Sequence, residues 1–194
     1  MVAKQTTLSP KRRSPAPLDR AKLEELALAY LARFATSSAK LEAYLRRKIR
    51  ERGVAEGAEP LDVASLVERM VELRYVDDAA FARTRASGLL RKGYGARRVD
   101  QTLRAAGIDE ELREDAAPGE AAARRAALAL ARKHGFGPFG APAEESEGLD
   151  RAKREKQIAA MIRAGHGFDA ARALVDAASV EDAADWVQEA EEWD

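Results

Sequence analysis

Apolar side chains along this chain recur at three- and four-residue intervals and almost never alternate, so the sequence reads as helix nearly throughout. Predicted helices cover roughly residues 19–34, 38–52, 61–74, 78–92, 96–106, 109–117, 119–134, 150–164 and 168–178, with a last one near 180–193. The breaks carry their own signals. Ser37 or Ser38 and Asp77 stand where N-caps are wanted, while Gly53, Gly107 and Gly165 follow basic or alanine-rich helix ends and Pro118–Gly119 separates two helices. Residues 54–60 (VAEGAEP) and 135–149 (GFGPFGAPAEESEGL) read as loops and mobile points, and the first 17 residues, with Pro10, Pro15 and Pro17, as a flexible basic arm.

Three helices superpose without a gap, AKLEAYLRRK from Ala39, RRVDQTLRAA from Arg97 and KQIAAMIRAG from Lys156, at offsets of 58 and 59 residues. Leu41, Val99 and Ile158 coincide, as do Leu45, Leu103 and Ile162, and the arginines Arg46, Arg104 and Arg163. The expected architecture is all-α, with tandem three-helix repeats forming an elongated curved array. The expected divisions are an arm over 1–18, repeats over 19–76, 77–117 and 118–179, and an acidic tail over 180–194. The middle repeat's third helix, near 109–117, is short and acidic and leans on its neighbours.

At about 100° per residue, each superposed helix is apolar on one side and basic on the other. Arg46 and Arg50, Arg97 and Arg104, and Lys156 and Arg163 lie across from the apolar stripe. Lys+Arg and Asp+Glu both number 33, so the net charge is zero and exerts no global pull toward nucleic acid or anionic lipid. The average conceals alternating blocks: residues 1–53 carry +8, 54–82 carry −5 and 83–107 carry +6, and residues 164–194 end the series at −8. Such blocks are either solvated helix faces or, if the repeats stack at constant rotation, a continuous basic ribbon.

The turn RKGYGARR over 91–98 puts Arg91, Lys92, Arg97 and Arg98 beside an exposed aromatic, Tyr94, with glycines that permit tight geometry. A structural interhelix turn explains Gly93 and Gly95 equally well. Neither G-x-x-x-x-G-K-[ST] nor G-x-G-x-x-G is present, which argues against nucleotide hydrolysis. Asp77 and Asp78 read as a cap and a favourable helix-dipole charge, with Phe81 in the core. His134 and His166 fit helix termination and turn geometry, and cysteine is absent, so the sequence calls for no catalytic residue, metal or cofactor. No stretch is long and apolar enough for a membrane span or signal core, making the cytoplasm the expected compartment. The acidic segment from Val180, with Trp186 and Trp193 two turns apart, is expected to pack back as an amphipathic helix, with shielding of the basic face or gripping of a partner as alternatives.

At the repeated helices the chain resembles the RecX family of recombination regulators, from about residue 20 to 178. The matching pieces are LRYVDDAAFARTRA from Leu73, RKGYGARRVDQTL from Arg91, Gly107–Ile108, LAYLARFATSSAKLEAYLRRK from Leu28 and MIRAGHGFDAARALV from Met161. Ala164 between Arg163 and Gly165, and the His–Gly pair before Phe168, depart from the family's closing turn.

The resemblance implies a non-enzymatic, monomeric regulator that binds RecA-type recombinase filaments and the single- or double-stranded DNA within them. Such a regulator inhibits recombinase ATPase and strand exchange and so limits recombination and the DNA-damage (SOS) response. Its contact candidates are Arg46, Arg47, Arg50, Arg91, Lys92, Tyr94, Arg97, Arg98, Arg104, Lys156 and Arg163. The competing reading is a helical DNA-binding protein that acts without a recombinase.

Overall fold

A computed structural model describes residues 16–140 and 151–192; the basic run at 11–13, most of the predicted 135–149 loop and Trp193 lie outside them. The helices are α1 (Arg20–Leu31), α2 (Ser38–Arg52), α3 (Val63–Glu72), α4 (Asp78–Arg91), α5 (Ala96–Arg104), α6 (Glu110–Asp115), α7 (Glu120–His134), α8 (Arg151–Arg163), α9 (Phe168–Val175) and α10 (Val180–Glu191). Among the described residues there is no strand, only an isolated parallel bridge between Leu18 and Val54. Side-chain caps set several starts: Asp19 accepts from the Lys22 amide, Asp62 from Ser65, Asp77 from Ala80 and Ser179 from Asp182. Each satisfies an amide that a helix's first turn leaves without an internal partner.

Three apolar clusters follow one another along an elongated all-helical array. The first joins Leu23 and Ala27 of α1 to Leu41 and Leu45 of α2 and to Val67 and Met70 of α3. The second joins Ala82, Ala86 and Leu89 of α4 to Val99 and Leu103 of α5, closed by Ala106 and Ile108. Helix α6 contributes no fully buried residue, only the half-buried Leu112, and α4 packs against α7 as well as α6. In the third cluster, Ala127, Leu130 and Ala131 of α7 meet Met161, Leu174 and Val175. Helix α10 completes this cluster with Ala183 and Val187, and its Trp186 ring lies 4.5 Å beneath the Arg124 guanidinium. The acidic tail thus packs back on α7, where Arg124 also donates to the Trp186 carbonyl at 2.6 Å.

The internal repeat has a different register from the gap-free superposition. Helices α5 and α8 end alike, with Gly107 and Gly165 at positive φ, and with amides of Ile108 and His166 donating to the carbonyls of Leu103 and Met161. Met161, fully buried, therefore takes the place of Leu103, Gln157 that of Val99, and the offset is 58 at both steps. Ile162 is 37% exposed. Gln157 is tolerated in a core position because its Oε1 accepts from the Gly137 amide at 2.9 Å, so the buried carbonyl is paired.

The first and second clusters are joined at the start of α2. Ser37 Oγ accepts from the Lys40 amide and donates to the Ala106 carbonyl beyond α5, while Asp78, at the start of α4, accepts from both the amide and the hydroxyl of Ser38. Asp78 is thus an inter-cluster bolt as well as a favourable charge at its own helix start.

Candidate functional site

Helix α5 begins without a side-chain cap, because its N-cap is Gly95. Its free amides find partners in another helix. Gly95 donates to the Ala164 carbonyl at 3.0 Å and Arg97 to the Gly165 carbonyl at 3.1 Å, so the unpaired donors of one helix start meet the unpaired acceptors of the α8 end. The opposite partial charges of the two helix ends also attract. Both contact positions require glycine. A Cβ on Gly95 would stand 2.5 Å from the His166 nitrogen, and one on Gly165, where φ is +98°, 2.5 Å from the Arg98 nitrogen.

His166 locks the same joint. It is 3% exposed, and its Nε2 lies 2.9 Å from the Gly93 carbonyl, to which the neutral Nε2–H tautomer donates. Burial disfavours the imidazolium and lowers its pKa from the ordinary 6.5, against a smaller opposite effect of the Gly93 carbonyl. Because the folded value is depressed, the unfolded chain takes up the proton first, and stability falls as pH drops through about 6.5. Thermal unfolding of the native chain should therefore shift downward between about pH 7.5 and 5.5. His166→Gln should flatten that slope, and an identical slope in the variant would remove His166 as its source. Asp19, Glu51 and Asp176 do not contribute in this window, since hydrogen bonds from Lys22, Lys48 and Arg154 respectively hold their pKa values below the ordinary carboxylate range.

The joint brings several of the predicted contact residues together. Arg97 and Arg98 project from the first turn of α5, and Arg163 ends α8 directly across the paired backbones; all three are exposed and none has an ion-pair partner among the described residues. Lys156 is exposed about two turns upstream on α8. Lys92 caps α4 next to Gly93, and Arg91 donates to Ser87 Oγ at 2.7 Å. Arg104, one turn beyond Asp100, pairs with it at 3.5 Å and precedes the Ala106 carbonyl held by Ser37.

The α2 cations form a separate group. Arg46 pairs with Glu42 at 2.5 Å and Arg47 with Glu51 at 2.7 Å, whereas Arg50 is exposed and unpaired among the described residues. Exposed pairs of this kind are weak and screened by salt, so they leave the arginines free to exchange carboxylates for phosphates. Tyr94 differs from its expected role. It is half-buried and packs against Leu89 and its neighbours in the second cluster, because the turn points its ring inward, leaving the turn's cations as its exposed chemistry.

Sequence reasoning missed two residues of this framework, Asp78 and His166. Each bonds to a segment 40 or more residues away, Asp78 to Ser38 and His166 to Gly93, and local patterns explain both residues without that contact. Among the described residues, no group of three His, Asp or Glu side chains is placed to hold a metal ion. Among those residues, too, no helix is long and apolar enough to cross a membrane.

Comparisons with known proteins converge on one family. A family model described as RecX, second three-helix domain, matches residues 77–116, which comprise α4, α5 and α6. Regulatory protein RecX of Myxococcus xanthus is 31% identical over 180 residues, spanning 89% of this chain and 93% of the relative. Regulatory protein RecX of Chromohalobacter salexigens is 33% identical over 128 residues, spanning 65% of this chain and 76% of the relative. The crystal structure of RecX from Lactobacillus salivarius superposes with a TM-score of 0.62 at 19% identity, covering 81% of this chain and 94% of that one. Because the likeness runs through nearly the whole of a relative's length and through all three helical clusters, this chain belongs to the RecX family of regulatory proteins.

Proposed function

We propose that this protein, acting as a monomer in the cytoplasm, binds a RecA-type recombinase filament and the DNA within it, restraining ATP hydrolysis and strand exchange. The observation that carries this reading is the backbone-paired joint beside which Arg97, Arg98 and Arg163 stand exposed, without ion-pair partners among the described residues. Cations fixed on helices meet a periodic array of phosphates or carboxylates with little ordering cost, and three repeats, over 19–76, 77–117 and 118–179, add contacts without any deep pocket. Arg46, Arg47 and Arg50 on α2, Arg91 and Lys92 beside the joint, Arg104 on α5 and Lys156 on α8 extend the same charge along the array. Tyr94 serves it from within, as packing beneath the turn. The zero net charge restrains indiscriminate binding to DNA, so the partner is selected by the local pattern.

The test is a titration of this protein into its cognate recombinase on single-stranded DNA. ATP hydrolysis and filament retention are followed beside a DNA-only binding curve at the same salt. Inhibition is expected well below the concentration that coats the DNA. Inhibition appearing only once the DNA is saturated would replace this reading with one in which DNA binding is the whole activity.

A further inference from the structure

We propose that the cleft between the first and second helical clusters binds unpaired bases of a single nucleic-acid strand, an inference that rests on the nucleic-acid part of the function proposed above. The cleft is about 610 Å³ in volume, within the range of roughly 300–1,000 Å³ usual for sites that hold planar organic ligands. One lip carries Phe34 and Tyr75, which are 55% and 57% exposed, and the other carries Arg85, Arg91 and Lys92. The two open rings are contiguous with the apolar side chains of Leu31, Ala35 and Phe81 in the cleft, and a contiguous exposed apolar surface of this kind marks a binding site.

Phe34 is the end of a column of rings. Tyr44 and Tyr30 stack with centroids 4.2 Å apart and planes 18° apart, and Phe34 follows Tyr30 at 5.1 Å with its plane tilted by 45°. The column begins beneath Arg47 and Lys48, whose charged ends lie 5.5 and 5.8 Å from the Tyr44 centroid. It finishes in the cleft, where nothing stacks on the far side of Phe34 among the described residues. A base seated there stacks on the open face of Phe34, and its phosphates reach the cations on the opposite lip.

The second aromatic is held out by an unusual turn. Arg74 has φ 59°, a conformation that favours glycine, and the amides of Tyr75 and Val76 both donate to the Met70 carbonyl at 2.9 and 3.2 Å. The turn directs Val76 into the core and leaves Tyr75 in solvent. The carboxylate of the lining residue Asp77 accepts from the Ala80 amide, while Arg85 and Lys92 have no ion-pair partner among the described residues. Cations alone would serve an acidic peptide equally well. The open rings of Phe34 and Tyr75, facing cations across the cleft and continuing a run of rings that begins under Arg47 and Lys48, match a strand of alternating bases and phosphates.

Binding of the full chain to labelled oligothymidylate and to an abasic oligomer of equal length, without recombinase, tests this. The native protein should prefer the oligothymidylate by about tenfold or more. Phe34→Ala with Tyr75→Ala should weaken oligothymidylate binding roughly 10- to 100-fold and leave abasic binding unchanged, while Phe34→Trp retains the preference. Circular dichroism confirms that the variants are folded, and Tyr75→Ala alone gives a milder version of the same test. Equal affinity of the native protein for the two oligomers would overturn the proposal. So would equal weakening of both by the double variant, or tighter binding of an acidic aromatic peptide than of oligothymidylate by the native protein. Failure of the filament reading appears separately, as absent recombinase inhibition with the base preference intact.

Discussion

Gly165→Ala is expected to destabilise the protein by about 2–5 kcal/mol, combining overpacking with the left-handed backbone cost of a Cβ-bearing residue. The added methyl would meet the Arg98 nitrogen at 2.5 Å and the Arg98 Cβ at 2.7 Å, so backbone must move before the substitution fits. The movement would lengthen the bonds from Gly95 and Arg97 to the α8 end, which satisfy amides that have no internal helical partner. A control lies two residues away. Gly167 has φ −69° and nothing within 4 Å of an added Cβ, so Gly167→Ala loses only N-cap preference, under about 1 kcal/mol. Chemical denaturation of the two variants, with amide exchange at Gly95 and Arg97, separates the cases. Equal stability of Gly165→Ala and Gly167→Ala would refute the tight joint.

Neutralising Arg97, Arg98 and Arg104 together to alanine is expected to weaken binding to the recombinase–DNA filament roughly 30- to 100-fold. If the three meet phosphates, it should also flatten the dependence of log affinity on log salt by about 2–3. Helicity and the unfolding midpoint should hold. The three guanidinium groups are exposed, the Arg104–Asp100 pair is a surface pair, and alanine is the better helix former. Alanine at 98 also retains the Cβ, the part of that side chain which abuts Gly165. Filament pull-down across a salt series measures both quantities. Unchanged affinity with an unchanged salt slope would remove these arginines from the interface.

The contrast between what the residues announced and what they concealed has a physical origin. The starts of α2 and α4 were legible because Ser37 and Asp77 act on amides three residues ahead, within the reach of any sequence window, whereas the same capping by Asp62 and Ser179 came to light only in the structure. The core stripes of α2 and α5 were legible because Leu41, Leu45, Val99 and Leu103 keep helical spacing. The slip in α8 was hidden because Ile158, Met161 and Ile162 are all apolar. Only the glycine-terminated end, fixed by His166 on Met161, selects the pair that is buried.

The cationic residues were visible as a pattern, but which of them share a surface depends on the backbone pairing of residues 95–97 with 164–165, some 70 residues apart. Tyr94 was misplaced for a related reason. A ring between two glycines looks exposed until the second cluster is seen to extend beneath it. Asp78 and His166 each have a sufficient local role, so nothing in the sequence around them signals a distant one.

The joints also set an order of completion for a chain made from its N-terminus. Helix α2 receives its Asp78 acceptor and the Ala106 carbonyl only after the second cluster has emerged, and α5 receives the α8 carbonyls only after the third. The first and second clusters are therefore each finished by the next one to leave the ribosome, while the third is closed by α10 from within its own cluster. A chain interrupted after α3 would expose an open helix start at Ser38, and one interrupted after α6 would expose another at Gly95. Premature products of this protein should thus be the ones that proteases find first.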